Sequence, residues 1–190
     1  VSAWWWVRHG PTHQKAVCGW RDVAADLSDS AALCRLAAAL PEDALVVSSD
    51  LLRARATADA LQGKRQRLPD AAALREFDFG AWDGLTFDVI AARDPALSRR
   101  YWEEPGDIAP PEGESWNAAA ARVSAAVAAL SAAHPGRDIV AVAHIGTILT
   151  QFAAATGCTP YQALAQRIEP LSLTRLDYAA GTAGPVNHRP

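Results

Sequence analysis

Three short apolar runs, each stopping at residues that carry chemistry, constrain the fold of this chain more than any other feature. Residues 3–7 (Ala-Trp-Trp-Trp-Val) end at Arg8-His9-Gly10-Pro11, residues 45–47 end at Ser48-Ser49-Asp50, and residues 139–143 end at His144-Ile145-Gly146. Runs this short and apolar at every position suit strands covered on both faces, which belong to parallel sheets flanked by helices. A fourth, less β-branched strand is expected over residues 171–176. Helical patterns fill the gaps. Residues 28–40 carry Leu33, Leu36 and Leu40, with Ser28 or Ser30 as the cap, and residues 50–61 close near Gly63. The Ala-rich residues 115–133 place Val123, Val127 and Leu130 at helical spacing, and residues 147–156 stop at Gly157. Strand alternating with helix predicts an α/β fold, a mostly parallel central sheet with helices on both faces.

The 190 residues suffice for one such unit, read here as a single catalytic domain over 1–190. A lid-like excursion is expected at roughly 80–115, where Trp82, Phe87, Tyr101 and Trp102 stand among charges and prolines, with short helical pieces at 87–93 and 95–102. Hydrophobic types at 50% and charged types at 21% exclude a disordered chain. A net charge of −3 argues against a broad basic face for nucleic acid, yet a local cluster of Arg and His can hold a small anion on an acidic protein. The three cysteines, Cys18, Cys34 and Cys158, are too few and too scattered for a disulfide framework or a zinc ribbon. That fits a reducing compartment. No apolar run reaches the roughly 18 residues of a membrane span, and residues 1–7 lack the basic leader of a signal peptide. The expectation is therefore a cytoplasmic protein with no membrane and no nucleic-acid partner, and with a homodimer left open.

In open parallel sheets, ligands sit outside the carboxyl ends of the strands. His9 and His144, far apart in sequence, each follow a strand and so converge on one sheet edge. Arg53 falls in the first turn of the helix expected at 50–61, where the macrodipole disfavours a cation unless an anion is bound there. Glu76 and Asp78 are carboxylate candidates in the segment 74–80. Taken singly, each has an ordinary reading: an imidazole satisfying a strand end, a solvated Arg, a surface carboxylate. Arg55, on the same helix, is given no role. No Gly-x-Ser-x-Gly elbow or Gly-x-x-x-x-Gly-Lys-Ser/Thr loop is present. His9 and His13 lie across a Gly-Pro turn and not on one helix face, so no metal site is expected. The tryptophan run at 4–6 reads as sheet core, and Cys18 as an ordinary loop thiol.

Five ordered blocks resemble the histidine phosphatase superfamily, the clan of phosphoglycerate mutases and related phosphatases. They are Arg8-His9-Gly10 with Thr12; Ser49-Asp50-Leu51-Leu52-Arg53-Ala54-Arg55-Ala56-Thr57-Ala58; Leu74-Arg75-Glu76 with Phe79-Gly80 and Trp82-Asp83-Gly84; Pro111-Glu112-Gly113-Glu114-Ser115; and Val142-Ala143-His144-Ile145-Gly146. The pattern is departed from at Pro11 (usually Glu), Lys15 (commonly Asn in mutase-like members), Ala56 (Gln), and Ala143 and Ile145 (Ser and Gly). Pro11 and the short length are similar to α-ribazole-phosphate phosphatases.

The resemblance implies a phosphoglycerate mutase-like fold and hydrolysis of a small phosphorylated metabolite, α-ribazole phosphate among the candidates, through a phosphohistidine. It implies His9 as nucleophile, Arg8, Arg53 and His144 as the phosphoryl cradle, Glu76 as proton donor with Asp78 as its runner-up, and neither metal nor cofactor. The alternatives are a phosphoglycerate mutase and a non-catalytic binding module on the same fold. Substrate selection falls to Thr12, Lys15, Trp20, Arg21 and Ile145 on one side and to Trp102 with its neighbouring aromatics on the other.

Overall fold

The tryptophan run forms the middle of the sheet. In the computed structural model, which describes residues 2–190, strand β1 (Trp4–Arg8) alternates its side chains between two apolar cores. Trp4 and Trp6 point into one, stacked with ring centroids 5.3 Å apart, and are fully buried. On an area basis each contributes about 4 to 6 kcal/mol of gross burial. Val7 points into the other core, and Trp5 packs against its edge beneath the Arg175 guanidinium, 5.6 Å away.

The remaining elements are α1 (Ser30–Ala39), β2 (Leu45–Ser48), α2 (Leu52–Gln62), α3 (Phe87–Arg93), α4 (Pro95–Glu103), α5 (Trp116–Ala133), β3 (Ile139–Ala143), α6 (Ile145–Thr156), α7 (Pro160–Leu164), β4 (Leu173–Asp177) and β5 (Thr182–Ala183). The sheet order is β2-β3-β1-β4-β5. Strands β1, β2 and β3 are mutually parallel through β3, while β4 runs antiparallel to β1 and β5 antiparallel to β4. The sheet is therefore mixed, parallel in the half that carries the chemistry. Helices α1 and α2 cover one face; α5 and α6 cover the other. No helix among the described residues is long and apolar enough to cross a membrane.

Two boundaries and two short elements differ from expectation for local reasons. Helix α1 is capped by Asp29, whose carboxylate accepts from the Ala32 N–H at 2.9 Å, and not by either serine. Strand β4 starts two residues late because Leu171 takes a left-handed conformation, φ 57°. Helix α7 and strand β5 are too short to leave a periodic signal in the sequence.

The excursion after residue 79 returns to its own starting point. Gly80, at φ 49°, lies so close to the Pro111 carbonyl that a Cβ would collide with it. The Ala81 N–H donates to that same carbonyl at 2.8 Å, and the Glu114 N–H to Asp78 O at 2.8 Å. Between these ends, α3 and α4 pack around Trp82. Its ring meets Tyr101 edge-on at 5.4 Å, and its indole N–H donates to Asp94 at 2.8 Å. Trp82 and Tyr101 are thus the interior of the excursion and form no part of a ligand wall; Phe87 and Trp102 face the cavity.

Candidate active site

Sheet register builds the site. Arg8 pairs with Ala143 and Ser48 with Val142, so the next residues along, His9, His144 and Ser49, emerge together at one edge. The His9 N–H donates to Ala143 O at 3.1 Å and the Ser49 N–H to Val142 O at 3.0 Å, carrying the ladder to the last ordered step. The His9 and His144 rings lie 5.1 Å apart. The turn after His9 is tied to α2 by Thr57, whose hydroxyl accepts from the Gly10 N–H at 3.0 Å and donates to Arg53 O at 2.7 Å.

The protonation state of His9 follows from its partners. Nδ1 lies 2.7 Å from the Gly10 carbonyl, which can only accept, so Nδ1 carries the hydrogen. Nε2 is left with its lone pair, and the Arg53 Nε–H points at it from 3.3 Å. Burial, then Arg53 and Arg8, lower the His9 pKa from 6.5 to about 3, against the opposing Gly10 bond. Burial, the His9 ring and the same arginines hold His144 well below the ordinary histidine range.

Arg53 is fully buried in the first turn of α2, and every partner it has is neutral: His9, the Arg21 carbonyl at 2.9 Å and the Gly19 carbonyl at 2.7 Å. Arg8 donates to Ile168 O at 2.6 Å, and its buried Nε has no partner. Two guanidiniums converging without a paired carboxylate, at the end of a helix that disfavours cations, form a site with unmet demand for an anion. Arg55, two residues along α2, is exposed.

Glu76 faces them from a segment held in place by other chains of bonds. Its Oε1 accepts from the Phe77 N–H at 2.9 Å and its Oε2 from the Gly146 N–H, near the start of α6, at 3.1 Å. Gly146 is required here, since a Cβ would run into the carboxylate. Burial pushes the Glu76 pKa up; the two N–H bonds and the arginines oppose this without cancelling it. Arg122 on α5 donates to the carbonyls of Ala73, Arg75 and Glu76 and pairs with both oxygens of Glu114 at 2.8 and 2.7 Å. Asp78, the other carboxylate candidate, accepts from Gly80 N–H in the turn and does not line the cavity.

A cavity of about 340 Å³ opens above these groups. Arg8, His9, Thr12, Lys15, Arg53, Glu76, Trp102 and Ile145 line it, while His144, fully buried beside His9, is not on the lining surface. Trp20 and Arg21, expected on the outer wall, do not line it. The Trp20 indole donates to Glu76 O at 2.8 Å with Arg75 over its ring, and Arg21 bonds Asp83 while its carbonyl receives Arg53. Both residues brace the machinery from behind. The upper cavity is apolar, walled by Phe77, Phe79, Phe87, Trp116, Leu149 and Leu164. Ser49, Gly146 and the Arg122–Glu114 pair are parts of this arrangement that sequence reasoning left without roles. Ser49 and Glu114 lie inside recognised blocks, whereas Arg122 carries no local signal.

The buried histidines give a pH prediction. In the free protein, neither the His9 nor the His144 ring should take up a proton between about pH 8 and pH 5, readable from their ring C–H resonances. Below about 6.5 the unfolded chain binds protons at both imidazoles and the folded chain does not, so both remove stability as pH falls below about 6.5, His9 down to its folded value of about 3. Glu76 has the opposite sign: its raised pKa adds stability as pH falls through its folded value.

Known proteins resemble this chain over most of its length. The family model described as histidine phosphatase superfamily (branch 1) matches residues 4–188. A bifunctional protein of Mycobacterium tuberculosis is 38% identical over 133 residues, 68% of this chain and 34% of that protein, so the chain spans about a third of the length of the curated relatives it matches. YhfR of Bacillus stearothermophilus superposes with a TM-score of 0.86 at 25% identity, over 98% of this chain and 95% of that one. A mycobacterial glucosyl-3-phosphoglycerate phosphatase, solved as a complex with VO3, superposes with a TM-score of 0.80 at 32% identity, over 93% of each chain.

Proposed function

This chain belongs to the histidine phosphatase superfamily, and on that premise we propose that it hydrolyses a phosphomonoester through a phosphohistidine formed at His9. The observation that carries this reading is the pair of inward guanidiniums with no carboxylate partner beside an imidazole whose Nε2 lone pair is fixed. Arg8, Arg53 and His144 hold the equatorial phosphoryl oxygens, and the two guanidiniums neutralise charge as it builds there. His9 Nε2 forms the N–P bond as the ester P–O bond breaks, and Glu76, protonated, gives its proton to the departing oxygen. Water then attacks phosphorus, Glu76 takes up the water proton, and the N–P bond breaks to release phosphate. Glu76 suits both halves: its burial and the ligand's negative charge favour the acid, while loss of the alcohol leaves a carboxylate ready to act as base.

The alcohol portion lies in the apolar upper cavity. A sugar or glycerate there would bury hydroxyls or a carboxylate against Phe77, Trp116 and Leu149, with no side-chain partner on that side. An ester whose distal part is a flat ring fits; α-ribazole phosphate is of that kind, its ribose staying beside the phosphate near Thr12 and Gln14 while its ring base reaches the apolar walls. Lys15, exposed at the rim, meets the outer polar end of such a ligand. A mutase would need a second anion subsite; Lys15 alone at an exposed rim is a poor one.

A panel of primary-alcohol phosphates with similar leaving groups tests this. Phosphates of aryl-substituted alcohols and α-ribazole phosphate should exceed glucose 6-phosphate and 3-phosphoglycerate in kcat/KM by about tenfold or more, the gain from one buried ring face. Trp102→Ala should erase that ranking, and Lys15→Asn should change it at the polar end. A hierarchy untouched by both substitutions removes this assignment of the walls.

A further inference from the structure

Ser49 bears directly on how the second histidine works. Its side chain is fully buried, and its Oγ lies 2.9 Å from Nε2 of the equally buried His144. The Leu51 N–H donates to the same Oγ at 3.3 Å, which uses one lone pair. Among the described residues, the Ser49 hydroxyl hydrogen has no other acceptor. At the opposite side of the imidazole, Nδ1 is buried with no partner at all.

Two arrangements are open to this pair. If Nε2 carried the ring hydrogen and donated to Ser49, the hydroxyl hydrogen would have nowhere to go. Nδ1 would then present a bare lone pair, which repels a phosphoryl oxygen. If instead Ser49 donates to Nε2, the hydroxyl is satisfied on both sides and the ring hydrogen sits on Nδ1. We propose that Ser49 is a positioning residue that holds neutral His144 in the Nδ1–H tautomer and so makes it a hydrogen-bond donor to the phosphoryl group. The inference rests on the phosphatase reading above. It matters because burial and the neighbouring cations keep His144 neutral, and a neutral imidazole has only one N–H to offer. A protonated ring would donate from both nitrogens, and the hydroxyl would be idle.

Ser48 supplies the control. It is equally buried, but its hydroxyl donates to the Ser49 carbonyl at 2.7 Å and does not contact the imidazole.

The test is nitrogen-15 NMR of labelled histidine in wild type, Ser49→Ala, Ser49→Thr and Ser48→Ala, beside inorganic phosphate affinity and kcat on p-nitrophenyl phosphate. Wild type should show His144 with its hydrogen on Nδ1. Ser49→Ala should show a mixed or inverted tautomer, with phosphate affinity and kcat lowered about ten- to hundredfold, the range for losing one hydrogen bond to a charged group. Ser49→Thr, which keeps the hydroxyl, should recover most of this, and Ser48→Ala should match wild type. A wild-type His144 protonated on Nε2 overturns the proposal, as does a Ser49→Ala protein whose tautomer and phosphate affinity are both unchanged. A wild type inert towards aryl phosphates overturns the phosphatase reading instead, and the tautomer spectra distinguish the two failures.

Discussion

His9→Ala should abolish turnover while leaving the fold in place. In the proposed mechanism the substitution removes the atom that bonds phosphorus, and losing a nucleophile from a unit of this kind costs at least about 10⁴-fold. The backbone is indifferent to the change: the bond from residue 9 N–H to Ala143 O belongs to the main chain and survives in Ala. What is lost locally is the donor to the Gly10 carbonyl and the contact with Arg53 Nε, worth about 1 kcal/mol in stability. Circular dichroism should therefore match wild type. Rapid quench of the wild type with labelled substrate should trap phosphate that is labile in acid and stable in base, as a phosphohistidine is, and the variant should trap none. Substantial hydrolysis by His9→Ala would move the nucleophile elsewhere.

The convergence behind that prediction was legible because strand ends follow from composition. An apolar run covered on both faces must stop where the chain leaves the sheet, and parallel strands stop at the same edge. His9 and His144 therefore meet without any contact information, and the register pairing Arg8 with Ala143 is the physical form of that argument. The direction of β4 was not legible, since its antiparallel course depends on the long path from α7 and on the turn at Leu171, not on its own residues. The aromatics of the excursion separate for a reason that composition cannot carry. Tyr101 and Trp102 are adjacent on α4, about 100° apart around the axis, so one enters the interior against Trp82 and the next faces the cavity. Trp20 and Arg21 were misplaced on the outer wall because a loop residue's direction is set by its partners, here Glu76 O and Asp83. The neutrality of the bonds around Arg53 is likewise invisible in sequence, yet it is what leaves that buried guanidinium without a bonded counter-charge.

Glu76→Gln should separate the two chemical halves of the reaction. An alkoxide is a poor leaving group and needs a proton as the P–O bond breaks, whereas p-nitrophenolate leaves without one. General acid help is worth about 10² to 10⁴ in rate, so kcat/KM on an alkyl phosphate should fall by that factor while kcat/KM on p-nitrophenyl phosphate falls much less. In the proposed mechanism kcat/KM reports events through formation of the phosphohistidine, and water attack, which comes afterwards, also uses Glu76, as base. In Glu76→Gln, p-nitrophenyl phosphate should therefore give a burst of p-nitrophenol near one equivalent, followed by slow turnover, and phosphohistidine should accumulate. The substitution has a structural cost common to all substrates. Both Glu76 oxygens accept a backbone N–H, from Phe77 and from Gly146, and an amide nitrogen in either place turns one of these bonds into a clash of donors. That cost lowers both rates together and cannot produce a difference between leaving groups or a burst. Equal losses in kcat/KM on the two esters, with no burst, would take Glu76 out of proton transfer and leave it as the group that merely orders the Phe77 and Gly146 amides.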